Sequence, residues 1–308
     1  MTPRMVRLAS ALALLAGSAV ISAQGQLLPS TPKLGFGASV TPAYDGWFDS
    51  ADGSHNYLIG YYSRNWERDV DAPLGPNNHF EPGEPDMGQP THFLPNRNFG
   101  MFLINRPKET PATDRLWWVI TVNGVQNRVP FWRSADFNIT VNRSSEEAPS
   151  IARDPKRPNE PVYNAPPVLK FAANGPVISD GPYAQLSKAS SRTATANTPM
   201  PLEIFAEDDA FYTSGTNAPM IGRVPPILEA TVAKYRGPGD VKVEKLHEFE
   251  ATKGGKPLEP YAGKSAGTVT FSQPGDYVLH ITLNDFSEKG GGATACCWTT
   301  HMVKVAVK

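Results

Sequence analysis

Cysteine is nearly missing from this sequence. Of 308 residues only Cys296 and Cys297 are cysteines, and they are adjacent. A relaxed disulfide wants α-carbons about 4.4–6.8 Å apart, whereas chain neighbours sit about 3.8 Å apart. A fold stapled by disulfides is therefore excluded, and apolar cores must hold it together. The pair itself reads either as a strained vicinal ring or as two thiols, one buried and one exposed. Charge of one sign is missing too: 29 Lys and Arg face 30 Asp and Glu, for a net charge of −1. Without a positive surface to track phosphates, nucleic acid is not an expected partner. Sustained helical periodicity and internal repeats at fixed spacing are also absent. So are the Gly-x-Ser-x-Gly elbow, a phosphate-cradling loop with Lys-Ser/Thr and the two-histidine zinc motif of metalloproteases. Paired carboxylates for glycoside hydrolysis stay open, since those need closeness in space rather than in sequence.

Long apolar runs occur only near the N-terminus. There Arg4 and Arg7 precede the stretch Leu8–Ile21, followed by Ser22-Ala23-Gln24. This is the pattern of an export signal cleaved after Ala23. As a retained anchor the run is short and interrupted by Gly17 and Ser18, against about 20 apolar residues for a spanning helix. The expectation is an exported chain, periplasmic or extracellular, with no transmembrane segment once processed.

What the sequence does have is turn formers, 30 prolines and 26 glycines, together with 40% hydrophobic residues. Its length suggests about two domains. After a flexible start at 24–33, a first β-rich unit over 34–142 carries strand candidates near Asn56–Tyr62, Phe99–Asn105, Leu116–Asn123, Gln126–Phe131 and Asp136–Val141. Asn123-Gly124 supplies the positive φ angles of a tight hairpin. Within this unit, 71–98 is a long Pro/Gly-rich loop, of the kind that is either functional or disordered. Residues 143–167 form a proline-rich linker of mixed charge. A second unit, 168–308, offers seven short strands with turn signals between them. In its strand Tyr277–Asn284, Tyr277, Leu279, Ile281 and Leu283 point one way and Val278, His280, Thr282 and Asn284 the other, as in a half-buried sheet strand. The fold expected is all-β, two β-sandwich (immunoglobulin-like) domains joined by the linker.

APPVL at Ala165–Leu169, EDDA at Glu207–Ala210, YRGPGDVKV at Tyr235–Val243 and TVTFSQPGDYVLHITLND at Thr268–Asp285 occur in one order. In that order they resemble bacterial immunoglobulin-like modules of the polycystic-kidney-disease and cadherin-like kind, over about 165–308. The insertion 210–226 and the GGGATACCWTTHM connection depart from that pattern. The resemblance implies a non-catalytic spacer, adhesion or binding unit.

Several constellations carry chemistry. Glu207, Asp208, Asp209 and Asp285 end strands, and are either a set of oxygens for calcium or turn caps. His79, Glu81, Glu84, Asp86 and His92 in the long loop suit a transition metal, or else a rim that meets a ligand. Cys296, Cys297, His301 and Met302, with His280 or His247, match the ligand types of electron-transfer copper, although His301 and Met302 face opposite ways in a strand. Trp47, Trp66, Trp117, Trp118 and Trp132 concentrate in the first unit, as core or as platforms for sugars and partner surfaces. The sequence thus points to an exported, non-catalytic binding or structural module of the bacterial cell envelope, recognising a protein or a glycan through His79–His92 and needing no cofactor unless calcium. The alternative is a metal-dependent exported enzyme or copper redox protein.

Overall fold

The computed structural model describes residues 34–141, 166–179, 184–208, 228–254, 259–285, 294–295 and 298–308. The export-signal candidate, residues 142–165 of the expected linker and the Cys296-Cys297 pair lie outside them. The first half supplies β1 (Val40–Asp49), β2 (His55–Ser63), β3 (Val70–Asp71), β4 (Asn78–Glu81), β5 (His92–Phe93), β6 (Asn96–Arg106), β7 (Leu116–Val122), β8 (Val125–Phe131) and β9 (Thr140–Val141). The second supplies β10 (Val168–Lys170), β11 (Ser190–Ala194), β12 (Met200–Asp208), β13 (Glu229–Arg236), β14 (Val241–Glu244), β15 (Glu250–Lys253), β16 (Tyr261–Phe271), β17 (Gly275–Asn284), β18 (Thr294–Ala295) and β19 (Trp298–Val307). Apart from these strands the described residues form only two short 3-10 turns, so the protein is all-β. The strand expected at Asp136–Val141 is one of those turns, Ala135–Phe137, followed by the two-residue β9.

The second half is a two-sheet sandwich. One sheet runs β10-β12-β16-β14, with β15 also on β16; the other runs β11-β19-β17-β13. Their inner faces share a core in which Leu202, Ile204, Val269, Leu279, Ile281 and Val303 are buried. Two of the motifs singled out in the sequence interlock at one corner. Tyr277 donates its hydroxyl proton to the Gln273 carbonyl at 2.9 Å and accepts from the Gly239 amide at 3.1 Å. Gly237, at φ 144°, lies so close that an added Cβ would meet the Tyr277 ring at 2.1 Å, so only glycine fits there.

The first half builds two three-stranded sheets, β1-β2-β6 and β4-β7-β8, plus the small β3-β5 pair. Asn123 and Gly124, at φ 52° and 76°, make the β7–β8 hairpin and leave Val122 opposite Val125, as such turns require. Aromatic rings dominate the core: Phe80 stacks on Trp118 at 5.6 Å, and Phe102 meets the same indole edge-on at 5.3 Å.

The two halves belong to one compact grouping, residues 33–308. Tyr235, Val278 and Met302 of the sandwich are buried in the same cluster as Tyr57, Trp118 and Phe102. This corrects the half-buried reading of β17. Its alternation is as expected, but Val278, His280 and Asn284 on the second face are 8%, 4% and 4% exposed, because a third layer covers them.

Candidate functional site

The loop 71–98 is folded by its own side chains. Asn78 on β4 is fully buried; its amide donates to the Ala72 carbonyl at 2.8 Å and the Pro90 carbonyl at 2.7 Å, and its Oδ1 accepts from Trp118 Nε1 at 2.9 Å. One asparagine thus ties both arms of the loop to the core. Alternation along β4 then sends Asn78 and Phe80 inward and His79 and Glu81 outward.

The five ionisable residues singled out in this loop are not brought together. His79 Nε2 lies 3.1 Å from Glu81 Oε1, and the other Glu81 oxygen accepts from Arg128 Nε at 3.0 Å. Hydrogen bonds from His79, then Arg128, hold the Glu81 carboxyl below its usual range. Asp86 meets Arg236 through both oxygens, at 2.7 and 2.8 Å, and that bidentate contact lowers its pKa. His92 is buried, with Nδ1 2.8 Å from Asp71 and Nε2 3.0 Å from Asp69. Burial pulls this imidazole down, but the two carboxylates outweigh it and His92 titrates above the ordinary histidine range. Glu84 is exposed. Among the described residues no three His, Cys, Asp or Glu side chains gather into a metal-binding group.

What the loop does grip is the sandwich. Arg236 on β13 also donates to the Gln89 carbonyl, from Nε at 2.8 Å and Nη2 at 2.5 Å. Tyr235 donates its hydroxyl proton to the Gly88 carbonyl at 2.5 Å, the Thr91 amide donates to the Tyr235 carbonyl at 3.1 Å, and Lys234 Nζ lies 3.3 Å from Asp71. Residues 86–91 therefore act as a clasp across the two halves. Arg236→Met is expected to lower stability by about 2 kcal/mol, since it removes four charge-assisted hydrogen bonds but leaves a half-exposed Asp86 that water can solvate. Urea unfolding gives the loss, and amide exchange should quicken at 86–91 while β7 and β8 stay protected. A loss below about 0.5 kcal/mol, within the range of ordinary surface substitutions, would show that the clasp carries no load.

The acidic residues singled out in the second half that are described form no metal-binding group of three either. Glu207 is exposed and pairs with Lys170 at 2.5 Å, while Asp208, its neighbour on β12, is buried on the opposite face. Asp285 follows β17 in the other sheet and is 5% exposed. Asp209 lies outside the described residues. Of the copper-type set, His301 Nε2 lies 2.8 Å from Ser190 Oγ, whereas His280 and Met302 face the other side of the sheet, toward the first half. The cysteines of that set are not described.

The outer face of β4-β7-β8 was not singled out as a unit in the sequence. Arg128 lies 3.7 Å over the Trp117 ring and also binds Glu81, with His79 alongside. The signal was present in the Trp117-Trp118 doublet. On one strand they must face apart: Trp118 is fully buried and Trp117 is half-buried at the surface.

No protein-family model matches the sequence, and no curated protein matches it. Among solved structures, the chain is similar to the major subunit of aggregative adherence fimbriae type I, AggA, from Escherichia coli. The two are 14% identical, the match covers 39% of this chain and 91% of that one, and the TM-score is 0.16, too low to speak for a shared fold or role.

Proposed function

We propose that this chain is an exported, non-catalytic binding or structural module of the bacterial cell envelope that recognises a protein or a glycan. One observation carries the reading. The ionisable residues of the long loop fasten it down, and what they leave facing water is a rigid sheet surface, β4-β7-β8, on which Trp117, Arg128, Glu81 and His79 stand together. Tryptophan and arginine held rigidly at a surface are the residue types that dominate binding energy at interfaces. The sandwich behind it, with its interlocked Gly237 and Tyr277, supports the likeness to polycystic-kidney-disease and cadherin-like spacer modules seen in the residues. Export rests on Arg4, Arg7 and the apolar run before Gln24.

A pelleting assay with isolated bacterial envelopes tests this. The purified protein is expected to sediment with them, and the pair Trp117→Ala, Arg128→Ala to weaken retention about tenfold or more. Failure to sediment, or a stoichiometric transition metal that survives dialysis, would sink the reading and favour a metal-dependent enzyme or redox protein.

A further inference from the structure

Where the first half covers sheet β11-β19-β17-β13 there is a cleft of about 400 Å³, within the usual size of small-molecule sites. Residues 94–101 make one wall. The other is built from alternate residues of β13, β17 and β19, among them Thr282, Asn284 and Trp298, the polar side of the pattern read in β17.

The walls hold no net charge. No carboxylate lines the cleft. Arg97, its one cationic residue, is paired with the buried Asp45 and lies 3.9 Å over the Phe99 ring. His280 is neutral at ordinary pH, because burial lowers its pKa to about 4. Yet residues that line the cleft carry buried hydrogen-bonding groups without a partner. Asn284 is 4% exposed and neither its Oδ1 nor its Nδ2 has a partner; Trp298, 3% exposed, has none for Nε1. Thr300, two residues further along the same side of β19, leaves its hydroxyl unmatched as well. Buried polar groups are almost always satisfied, so Asn284 and Trp298, which both line the cleft, point to an occupant.

We propose that the cleft binds a neutral sugar residue, with the Asn284 amide meeting two neighbouring hydroxyls and Trp298 Nε1 donating to a third oxygen. A carboxamide sets a donor beside an acceptor, and adjacent hydroxyls, each able to donate and accept, answer both. An anion or cation would be buried without a counter-charge. A purely apolar ligand would leave the amide and indole unsatisfied. An extended peptide adds at a sheet edge, whereas β17 and β19 are interior strands. Phe99 and Met101 in the opposite wall supply apolar surface for the C–H face of the ring. This adds a ligand class to the binding-module reading, at a site separate from the β4-β7-β8 face.

Isothermal titration of the purified protein with glucose, galactose, mannose, N-acetylglucosamine and their disaccharides tests it, with glucuronate as a charged control. Saturable, salt-independent binding of at least one neutral sugar is expected, with no response to glucuronate. Asn284→Leu, close in shape, and Trp298→Phe are each expected to weaken that binding about tenfold or more, with melting curves confirming that both variants fold. A sugar bound equally by parent and both variants overturns the cleft and leaves the module reading standing. No sugar binding by a protein that still sediments with envelopes overturns the ligand class and again spares that reading.

Discussion

Trp118→Ala is expected to cost about 4–8 kcal/mol, close to the whole stability of an ordinary domain. The indole is fully buried against Phe80, Phe93 and Phe102, and emptying a tryptophan-sized site in a packed core alone costs about 3–5 kcal/mol. The rest comes from Asn78, whose Oδ1 would lose its donor in a place that water does not reach, at about 1–3 kcal/mol. Because Asn78 also ties down both arms of the loop, the damage should spread to the clasp at 86–91. Urea unfolding checks the total, and Trp118→Phe, which keeps most of the ring but removes the N–H, should lose roughly half as much. A loss under about 2 kcal/mol for the alanine variant would mean that this ring is not the centre of the core.

The second large effect depends on pH. His280 is buried beside Tyr235, with ring centroids 5.7 Å apart, and burial lowers its pKa to about 4. The unfolded chain, with a histidine near 6.5, then takes up a proton that the folded one refuses between pH 6.5 and 4. Stability contributed by the neutral ring is complete above pH 6.5 and falls away on acidification through that window, by about 3 kcal/mol at pH 4. Asp45 opposes this: burial lifts its pKa to about 6 against the pull of Arg97 and Gly100, so its protonation favours the folded state as pH falls. His92, raised in the folded state, gives its full contribution below pH 6.5 and loses it as pH rises beyond its own titration. The clean measurement is therefore the difference between parent and His280→Phe. That difference should move by about 3 kcal/mol in favour of the variant between pH 7 and pH 4; a constant difference would show that the ring is not held neutral.

Local patterns were legible in the sequence, and partners from far along the chain were not. The Asn123-Gly124 hairpin and the two faces of β17 depend on nearest neighbours, and both appear as read. β1 was missed because Pro42, Asp45 and Gly46 look like breakers. Pro42 pairs with Tyr61 in an edge strand, where proline is tolerated. Asp45 is held by Arg97 and the Gly100 amide, more than 50 residues away. β11, Ser190–Ala194, has no apolar rhythm and becomes a strand through parallel pairing with Val303–Val307. The loop residues were recognisable as a polar, ionisable set, but that Asp86 answers Arg236 and His92 answers Asp69 is a matter of tertiary pairing. Nor does periodicity tell a water-facing side of a strand from one that another layer will cover, which is why the cleft lined by Asn284 and Trp298 was invisible.

The position of β19 has a consequence for how the molecule comes into being. It lies between β11 and β17, hydrogen-bonded to both, and it is the last of the described strands in chain order. During synthesis the other described strands leave the ribosome first, and β17 waits beside an empty place until residues 298–307 emerge. The sandwich then closes late and around a newly arrived middle, since neither β11 nor β17 can complete its pairing before residues 298–307 are in place.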